Sequence, residues 1–524
     1  MTASAKFRAW RERMASPELT LPPWLPDLLG GAILGLIFLP STWAWLTPLP
    51  LAFLHQRLFS GPTSRLAAQR GFAFSLAFFS FHLAWLPLSL GERFGPVLGF
   101  LALLIIPAAA VTWAAPLLLC RAAFGRLTLL ALPFTWVLLE YLRLMGPLAF
   151  GWGAPGYALT NTPLAQLASL GGVPLLTLLV TGSASLLAAL GRHNWPLIST
   201  VLLALWGGSW WWGRAAPVAS PERTALLVQG NVNPVEKSRG QAGDLLSRYV
   251  TLTRQGLTQG RVELVVWPES AILTPPGELS VLPILEALRI PLLLGAPGDV
   301  PGQARNSAYG VNAGVVGRQD KRVLVPFGEV IPFRSVLGAL ARPVLQSLGY
   351  PEEFGLTPGR KTQVLALGEA AVGVQICYES TFPRLSRDAV EGGANVLAVI
   401  SNDAWFGRGQ GAEQHFQMGR LRAIEARRYL LRAGNDGVSA VIDPWGRVLR
   451  RFPRGQQGTY RAPFGLMTGK TPYVRYHDWM VMLSGLALAG LGTVRFKRIQ
   501  IRRNARSPEE HLSALQELNT TELR

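Results

Sequence analysis

Long uncharged stretches dominate the first part of the chain and stop near residue 214. Leu28–Leu54 carries no acidic or basic residue and is broken by Pro40, Pro48 and Pro50. Apolar runs follow at Phe72–Leu90, Pro96–Cys120, Leu127–Leu139, Pro163–Leu190 and Trp195–Trp212, and another lies at Trp479–Val494. Such runs predict membrane-spanning helices, which need about 20 residues to cross at right angles; several here are shorter. From Gly71 to Gly213 only seven residues are acidic or basic: Glu92, Arg93, Arg121, Arg126, Glu140, Arg143 and Arg192.

The pattern changes after a Pro/Ala/Ser linker, Ala215–Pro221. From about Ala219 to Lys470 the charge density is that of a soluble domain. Short apolar runs predict strands at Thr224–Val228, Leu264–Val266, Pro291–Leu294, Val372–Ile376 and Asn395–Ile400. Helical patterns fall between them at Asp244–Gly256, Ser280–Arg289 and Ala412–Tyr429. This alternation predicts an α/β layered domain. Val438–Ile442 and Arg447–Phe452, joined by Asp443-Pro444-Trp445-Gly446, predict a late hairpin.

Charge adds orientation. The net charge is +19, yet no RNA-binding motif or basic-aromatic stripe accompanies it, and many arginines sit at the ends of apolar runs, as in cytoplasmic loops of membrane proteins. Lys6, Arg8, Arg11 and Arg13 precede Leu28–Leu54, and Arg57, Arg65 and Arg70 follow it. That stretch is either one long helix, which would break the sign pattern that follows, or, with both flanks cytoplasmic, a hairpin turning near Pro40. Arg121, Arg126, Arg192 and His193 then fall inside, the segment after Arg214 emerges outside, and the last span returns to Arg495, Lys497, Arg498, Arg502, Arg503 and Arg506. The expected organisation is a multi-span α-helical membrane region over residues 1–214 with about seven spans and a soluble α/β domain over 222–470. A final span over 479–494 and a basic, polar cytoplasmic tail over 495–524 follow. Both termini are cytoplasmic. No cleavable signal peptide is expected, because the first apolar segment continues into further spans.

The two cysteines, Cys120 and Cys377, give no disulfide framework. Cys120 reads as a small apolar residue in a span. Six scattered histidines include no HExxH, and there is no CxxC, so no metal site is expected. Cys377 ends the apolar run Ala371–Ile376 and precedes Tyr378-Glu379-Ser380. Ser380 or Thr381 is expected to cap a helix with Pro383 in its first turn, which puts Cys377 near a positive helix end and lowers its thiol pKa. Two further stretches carry candidate chemistry. Val265-Val266-Trp267-Pro268-Glu269-Ser270 places a carboxylate at a strand end, and Lys321-Arg322-Val323-Leu324-Val325-Pro326-Phe327-Gly328-Glu329 carries a lysine. Each alone has an ordinary reading as surface charge; together they suggest a shared site.

The Glu…Lys…Cys order, in WPE, KxxLVPFGE and CYE contexts, resembles the carbon–nitrogen hydrolase (nitrilase) superfamily. Joined to a multi-span N-terminal region and one C-terminal span, it resembles the apolipoprotein N-acyltransferase family. Gln229-Gly230-Asn231, Ser401-Asn402-Asp403-Ala404-Trp405-Phe406-Gly407, His415-Phe416-Gln417-Met418 and Arg432-Ala433-Gly434-Asn435-Asp436-Gly437-Val438 match it further. The resemblance implies an α-β-β-α sandwich outside the inner (plasma) membrane, with Glu269 as general base, Lys321 as oxyanion stabiliser and Cys377 as nucleophile. Glu329, Tyr378 and Glu379 match supporting residues. It implies acyl transfer from a membrane phospholipid to the α-amine of the N-terminal S-diacylglyceryl-cysteine of an apolipoprotein, through a thioester in ping-pong order. No cofactor, metal or nucleic acid takes part, and a monomer is expected. Members often carry a Trp some residues after Gln-Gly-Asp/Asn; residues 229–238 here hold none.

Other assignments keep a second reading. Glu329 orients Lys321 or Glu269, or is a plain ion-pair partner. Trp405 and Phe406 contact an acyl chain or support the core. His415 reads as structural. Leu337–Phe354, with Leu345 and Leu348, is a candidate lid toward the bilayer, or packs on its own domain. Two other functions share parts of the pattern. A membrane-tethered amidase acting on small amides fits the triad, although an anchor needs only one span. A transporter with a periplasmic binding domain fits the spans, although they contain almost no charge.

Overall fold

The computed structural model of the 524-residue chain describes residues 22–504 apart from 39, 62, 191–193, 216, 218–220, 234–241, 334–337 and 339–354. Leu28–Leu54 is two helices, Leu25–Ile37 and Pro48–Phe59. Their far ends meet, with Arg57 Nη2 2.9 Å from Asp27 Oδ2, so the stretch is a hairpin. Among the described residues, Pro96–Arg143, Pro163–Ala188 and Trp479–Ile501 are long and apolar enough to cross a membrane. Ser64–His82 with Trp85–Glu92, bent by 47°, makes a fourth when taken as one. The Pro96–Arg143 stretch itself folds back. Helix Ile105–Phe124 ends at Gly125, whose φ is +53°, and Thr128–Arg143 returns beside it. Trp113 and Trp136 therefore meet edge to face, 4.6 Å between centroids. Trp195–Arg214 is a further helix of 20 residues.

The soluble part is two six-stranded sheets. In chain order the strands are β1 (Arg223–Gln229), β2 (Leu264–Val266), β3 (Leu292–Pro297), β4 (Asn306–Val311), β5 (Val315–Asp320), β6 (Val364–Leu367), β7 (Ala370–Ile376), β8 (Val396–Ser401), β9 (Leu430–Gly434), β10 (Ala440–Ile442), β11 (Val448–Arg451) and β12 (Gly458–Phe464). One sheet runs β12-β1-β2-β3-β4-β5, the other β11-β10-β9-β8-β7-β6. Alternation along each strand builds the layers. Ala225 and Leu227 of β1 face the second sheet, where Val372, Val374 and Ile376 of β7 and Ala398 of β8 meet them. Leu226 and Val228 point outward under helix Ala242–Leu257 and its Leu245 and Tyr249. Leu397 and Val399 point the other way, under helices Pro383–Glu391 and Gly411–Ala426. The result is the α-β-β-α sandwich. β10 and β11 form the late hairpin, where Asp443 Oδ1 accepts from the Trp445 and Arg447 backbone nitrogens. The expected helix Ser280–Arg289 shortens to Leu282–Glu286, and Ala412–Tyr429 stops at Ala426 because β9 begins at Leu430.

One apolar cluster continues from the helical region into the sandwich: Phe79, Trp85, Trp152 and Tyr157 pack with Tyr378, Phe382, Phe406 and Leu421. Hydrogen bonds fix the same seam. Trp85 Nε1 donates to Gln414 Oε1 (3.0 Å), Gln414 Nε2 to the His82 carbonyl (3.0 Å) and Gln166 Nε2 to the Trp445 carbonyl (2.8 Å). Helix Ala168–Ala188 kinks at Gly172 (φ +67°), where a Cβ would lie 2.5 Å from a Tyr473 ring carbon. The kink frees the Val173 N–H to donate to Glu425 Oε1 at 3.1 Å. The helical region and the sandwich are thus docked through an apolar, hydrogen-bonded contact.

Candidate active site

Glu269 leaves the end of β2 through a Trp-Pro corner. The Trp267 N–H donates to the Leu293 carbonyl (2.8 Å) and its indole to Thr253 Oγ1 (2.9 Å), which pins the corner. Ser270 follows at φ +48°, and the turn presses on Gly295 of β3, where a Cβ would lie 2.5 Å from the Ser270 nitrogen. The buried Glu269 carboxylate is held by donors on both of its oxygens. Asn306 Nδ2 (2.7 Å) and Lys321 Nζ (3.2 Å) reach Oε1, and the Asn402 N–H (2.9 Å) reaches Oε2.

Lys321 follows β5 and is 1% exposed. Its Nζ also donates to Glu329 Oε1 at 2.7 Å, and Glu329 Oε2 accepts from the Val325 N–H at 2.9 Å. Burial alone would lower the Lys321 pKa, but the Glu269 and Glu329 carboxylates outweigh it and hold the ammonium well above the ordinary lysine value. Glu329 is therefore the second charge partner of Lys321.

Cys377 follows β7 and opens a 3₁₀ turn, Cys377–Thr381, at φ +52°. The α-helix begins only at Pro383, with Phe382 before it. This corrects the expected capping: Ser380 Oγ lies 2.8 Å from His415 Nε2 and Thr381 Oγ1 donates to the Tyr378 carbonyl. It also corrects the expected thiol acidity. Burial and then the Glu269 charge push the Cys377 pKa up, and Lys321 only partly opposes them. A thiol whose pKa is raised needs a neighbouring base to take its proton if it is to attack as a nucleophile.

Glu379 ties these pieces together. Its Oε1 accepts from the Arg322 (2.6 Å) and Val323 (3.1 Å) backbone nitrogens and its Oε2 from the Ile376 N–H (2.8 Å). One buried side chain thereby fixes the backbone after Lys321 against the backbone before Cys377. Tyr378 reaches out of the sandwich. Its hydroxyl donates to the Ala149 carbonyl at 2.5 Å and its ring stacks on Trp152, 5.8 Å between centroids at 14°. Phe406 is buried against Trp85 and Trp152, which favours its core reading, whereas Trp405 is 47% exposed and its carbonyl accepts from Ser89 Oγ. Leu345 and Leu348, with all of the candidate lid 337–354 except Gly338, lie outside the described residues, as do residues 234–238 of the loop that lacks a Trp.

The chain reading missed a polar layer beneath the cysteine. His415 Nε2 lies 2.9 Å from the Cys377 carbonyl oxygen and His415 Nδ1 3.0 Å from Asp403 Oδ1. Asp403 Oδ2 accepts from Arg432 Nη2 at 2.5 Å and Ser401 Oγ donates to Asp403 Oδ1 at 2.5 Å. All four side chains are buried. Burial alone would raise the Asp403 pKa, but Arg432 and His415 overcome it and hold the carboxyl below the usual range. Asn306 and Asn402, which hold Glu269, were missed too. Asn402 and Asp403 did stand in a stretch singled out from the sequence, Ser401–Gly407; Asn306 opens a strand of unremarkable composition.

The two facing sheets, flanked by helices, agree with the family model that residues 227–466 match, described as carbon-nitrogen hydrolase. The soluble part is thus a nitrilase-class domain, here fused to apolar helices. Residues 30–186 match a second model, described as apolipoprotein N-acyltransferase N-terminal domain. Proteins named apolipoprotein N-acyltransferase align over nearly the whole chain. The one from Azotobacter vinelandii is 34% identical over 92% of this chain and 96% of its own length. That from Methylococcus capsulatus is 34% identical over 92% and 96%, and that from Vibrio vulnificus 30% identical over 86% and 92%. Among solved structures, an amidase from Nesterenkonia sp. overlays 51% of this chain and 97% of its own with a TM-score of 0.38 at 19% identity. The chain belongs to the apolipoprotein N-acyltransferase family.

Proposed function

We propose that this chain transfers an acyl group from a membrane phospholipid to the α-amine of the N-terminal S-diacylglyceryl-cysteine of apolipoproteins, through a thioester on Cys377. Glu269 removes the thiol proton as Sγ attacks the ester carbonyl. Lys321, with the Tyr378 backbone N–H, opposes the charge developing on the carbonyl oxygen. The C–O bond breaks, the leaving lysophospholipid alkoxide takes the proton held by Glu269, and the acyl group stays on sulfur. The lipoprotein amine then attacks the thioester, Glu269 accepts its proton, and the thiol is restored as the amide leaves. A thioester acylates an amine more readily than the starting ester does, which is the chemical reason for the detour.

The observation that carries this reading is the buried Lys321 ammonium, 3.2 Å from Glu269 and 2.7 Å from Glu329, in electrostatic contact with Cys377. A lysine held cationic beside a neutral thiol suits an oxyanion and not a second base. The seam with the apolar helices supports a lipid substrate over a small soluble amide. In this reading the sandwich faces the periplasm from the inner membrane, both termini are cytoplasmic and the chain acts as a monomer. The test is intact-mass analysis after incubation with phospholipid alone. The protein should gain one acyl chain, removable by hydroxylamine; no gain from any phospholipid sinks the thioester route.

A further inference from the structure

A cavity of about 330 Å³ lies where helix Thr128–Arg143 meets the sandwich. Glu269, Lys321 and Cys377 do not line it, and it plays no part in the chemistry above. Its walls are amphipathic. Phe150, Val173 and Phe382 supply an apolar side, and four arginines, Arg143, Arg322, Arg384 and Arg387, converge on it with Glu140, Asp388 and Asp478 between them.

Most of these charges are already engaged. Arg322 pairs with Asp388 at 2.9 Å, Arg387 with Asp478 at 2.8 Å, and Arg143 Nη2 donates to the Trp152 carbonyl at 2.6 Å. Arg384 is exposed and makes no hydrogen bond or ion pair among the described residues, so it is the surplus cation. One other lining residue, more than nine-tenths buried, carries a donor with no partner among the described residues: Arg387 Nε. The nine-residue helix Pro383–Glu391 also begins at this cavity, and no side chain caps its first turn. Arg384, in the first turn of this helix, puts a positive charge where the helix dipole also favours an anion. The surroundings are apolar and exposed: Tyr141 and Met145 line the cavity near the end of an apolar helix.

We propose that this cavity binds the phosphodiester headgroup of a bilayer phospholipid, as a resident lipid distinct from the acyl donor at Cys377. The phosphate meets Arg384 and the start of helix Pro383–Glu391, and the glycerol end lies against the apolar wall. An inorganic phosphate shares the anionic chemistry but leaves that wall empty.

The experiment uses full-length Cys377→Ala protein, which cannot turn over, in nanodiscs doped with a phosphatidylglycerol bearing a diazirine on its headgroup. After illumination, labelled peptides should include residues 141–151 or 383–388. Arg384→Glu should cut that labelling about fivefold, the scale of one exposed charge contact, and leave labelling elsewhere unchanged. Arg384→Gln, which keeps the stem, should give an intermediate loss, and thermal melting checks that both variants fold. Absence of label from both segments, or equal labelling in Arg384→Glu, overturns the site. A diacylglycerol probe without phosphate that labels equally well overturns the headgroup assignment. Loss of label on adding millimolar inorganic phosphate would assign the anion site to free phosphate and overturn the lipid.

Discussion

His415 places Nε2 2.9 Å from the backbone carbonyl oxygen of Cys377. The cysteine sits in a left-handed backbone conformation that a β-carbon disfavours, and the contact holds it there from below. Asp403 and Arg432 in turn hold His415. In the proposed mechanism the polar stack presents the nucleophile from the second sheet, while the proposed base and oxyanion partner, Glu269 and Lys321, come from the first.

Replacing His415 with Gln should leave a folded protein whose thioester forms about tenfold or more slowly. The loss corresponds to an imperfect buried hydrogen bond, about 1–3 kcal/mol. Because the change acts through the cysteine backbone, labelling of Cys377 by a small thiol reagent should slow in parallel, with KM for phospholipid unaltered. A normal rate in both assays removes His415 from the presentation of the thiol.

Glu269→Gln should fold and fail to form the thioester. Lys321→Ala should lower the rate by about 10²–10³, the usual cost of losing an oxyanion donor. Glu329→Gln should cost less than Lys321→Ala, since Lys321 keeps Glu269 as a partner. Intact-mass time courses give all three rates, and the ranking fails if Glu329→Gln is the slowest.

The Asp403–Arg432 pair should show itself in acid. The folded Asp403 pKa lies below its unfolded value, about 3.9. Its stabilisation is complete above the unfolded value and is lost as pH falls through the folded one. Melting temperature of the parent should therefore drop more steeply below about pH 4 than that of Asp403→Asn. At neutral pH the variant should be less stable by about 3–5 kcal/mol, because Arg432 is left buried and unpaired. Parallel acid slopes for the two proteins would contradict the assignment.

Orientation is testable without turnover. Single cysteines introduced near Glu278 and Lys497 in a Cys120→Ala, Cys377→Ala background should react with an impermeant maleimide from opposite sides, the first from the periplasm. Labelling of both from one side overturns the arrangement of the spans.

Parts of this structure were legible in the chain because they rest on local apolar pattern. Leu264–Val266 is an unbroken apolar run and Val372–Ile376 is interrupted only by Gly373 and Gln375, and both are strands that lead into a candidate site residue. Asn306–Val311 and Val315–Asp320 were missed. They mix Ser, Ala, Gly, Arg and Gln, and their strand character comes from pairing with β3 and with each other. Arginines on both flanks of Leu28–Leu54 favour a hairpin over one long helix, and the Arg57–Asp27 contact decides it. The His415–Asp403–Arg432 stack was not legible, since its members lie on three separate elements and only the sheet order brings them together. The thiol acidity was misjudged for a related reason. A helix end acts over one turn, whereas the burial that raises the Cys377 pKa depends on everything packed around it.

The apolar cluster that runs through the junction leaves no clean place to cut. A fragment of residues 222–470 would carry Phe382, Leu385, Phe406, Leu421 and Ile424 without their cover, a sticky patch that invites aggregation. Tyr378 would lose both its hydrogen bond to Ala149 and its stack on Trp152, one residue from Cys377. Grafting a free-standing hydrolase sandwich onto these helices would fail for the complementary reason, having no matching face to bury. The two halves form an indivisible inheritance, in which drift on one side of the seam must be answered on the other.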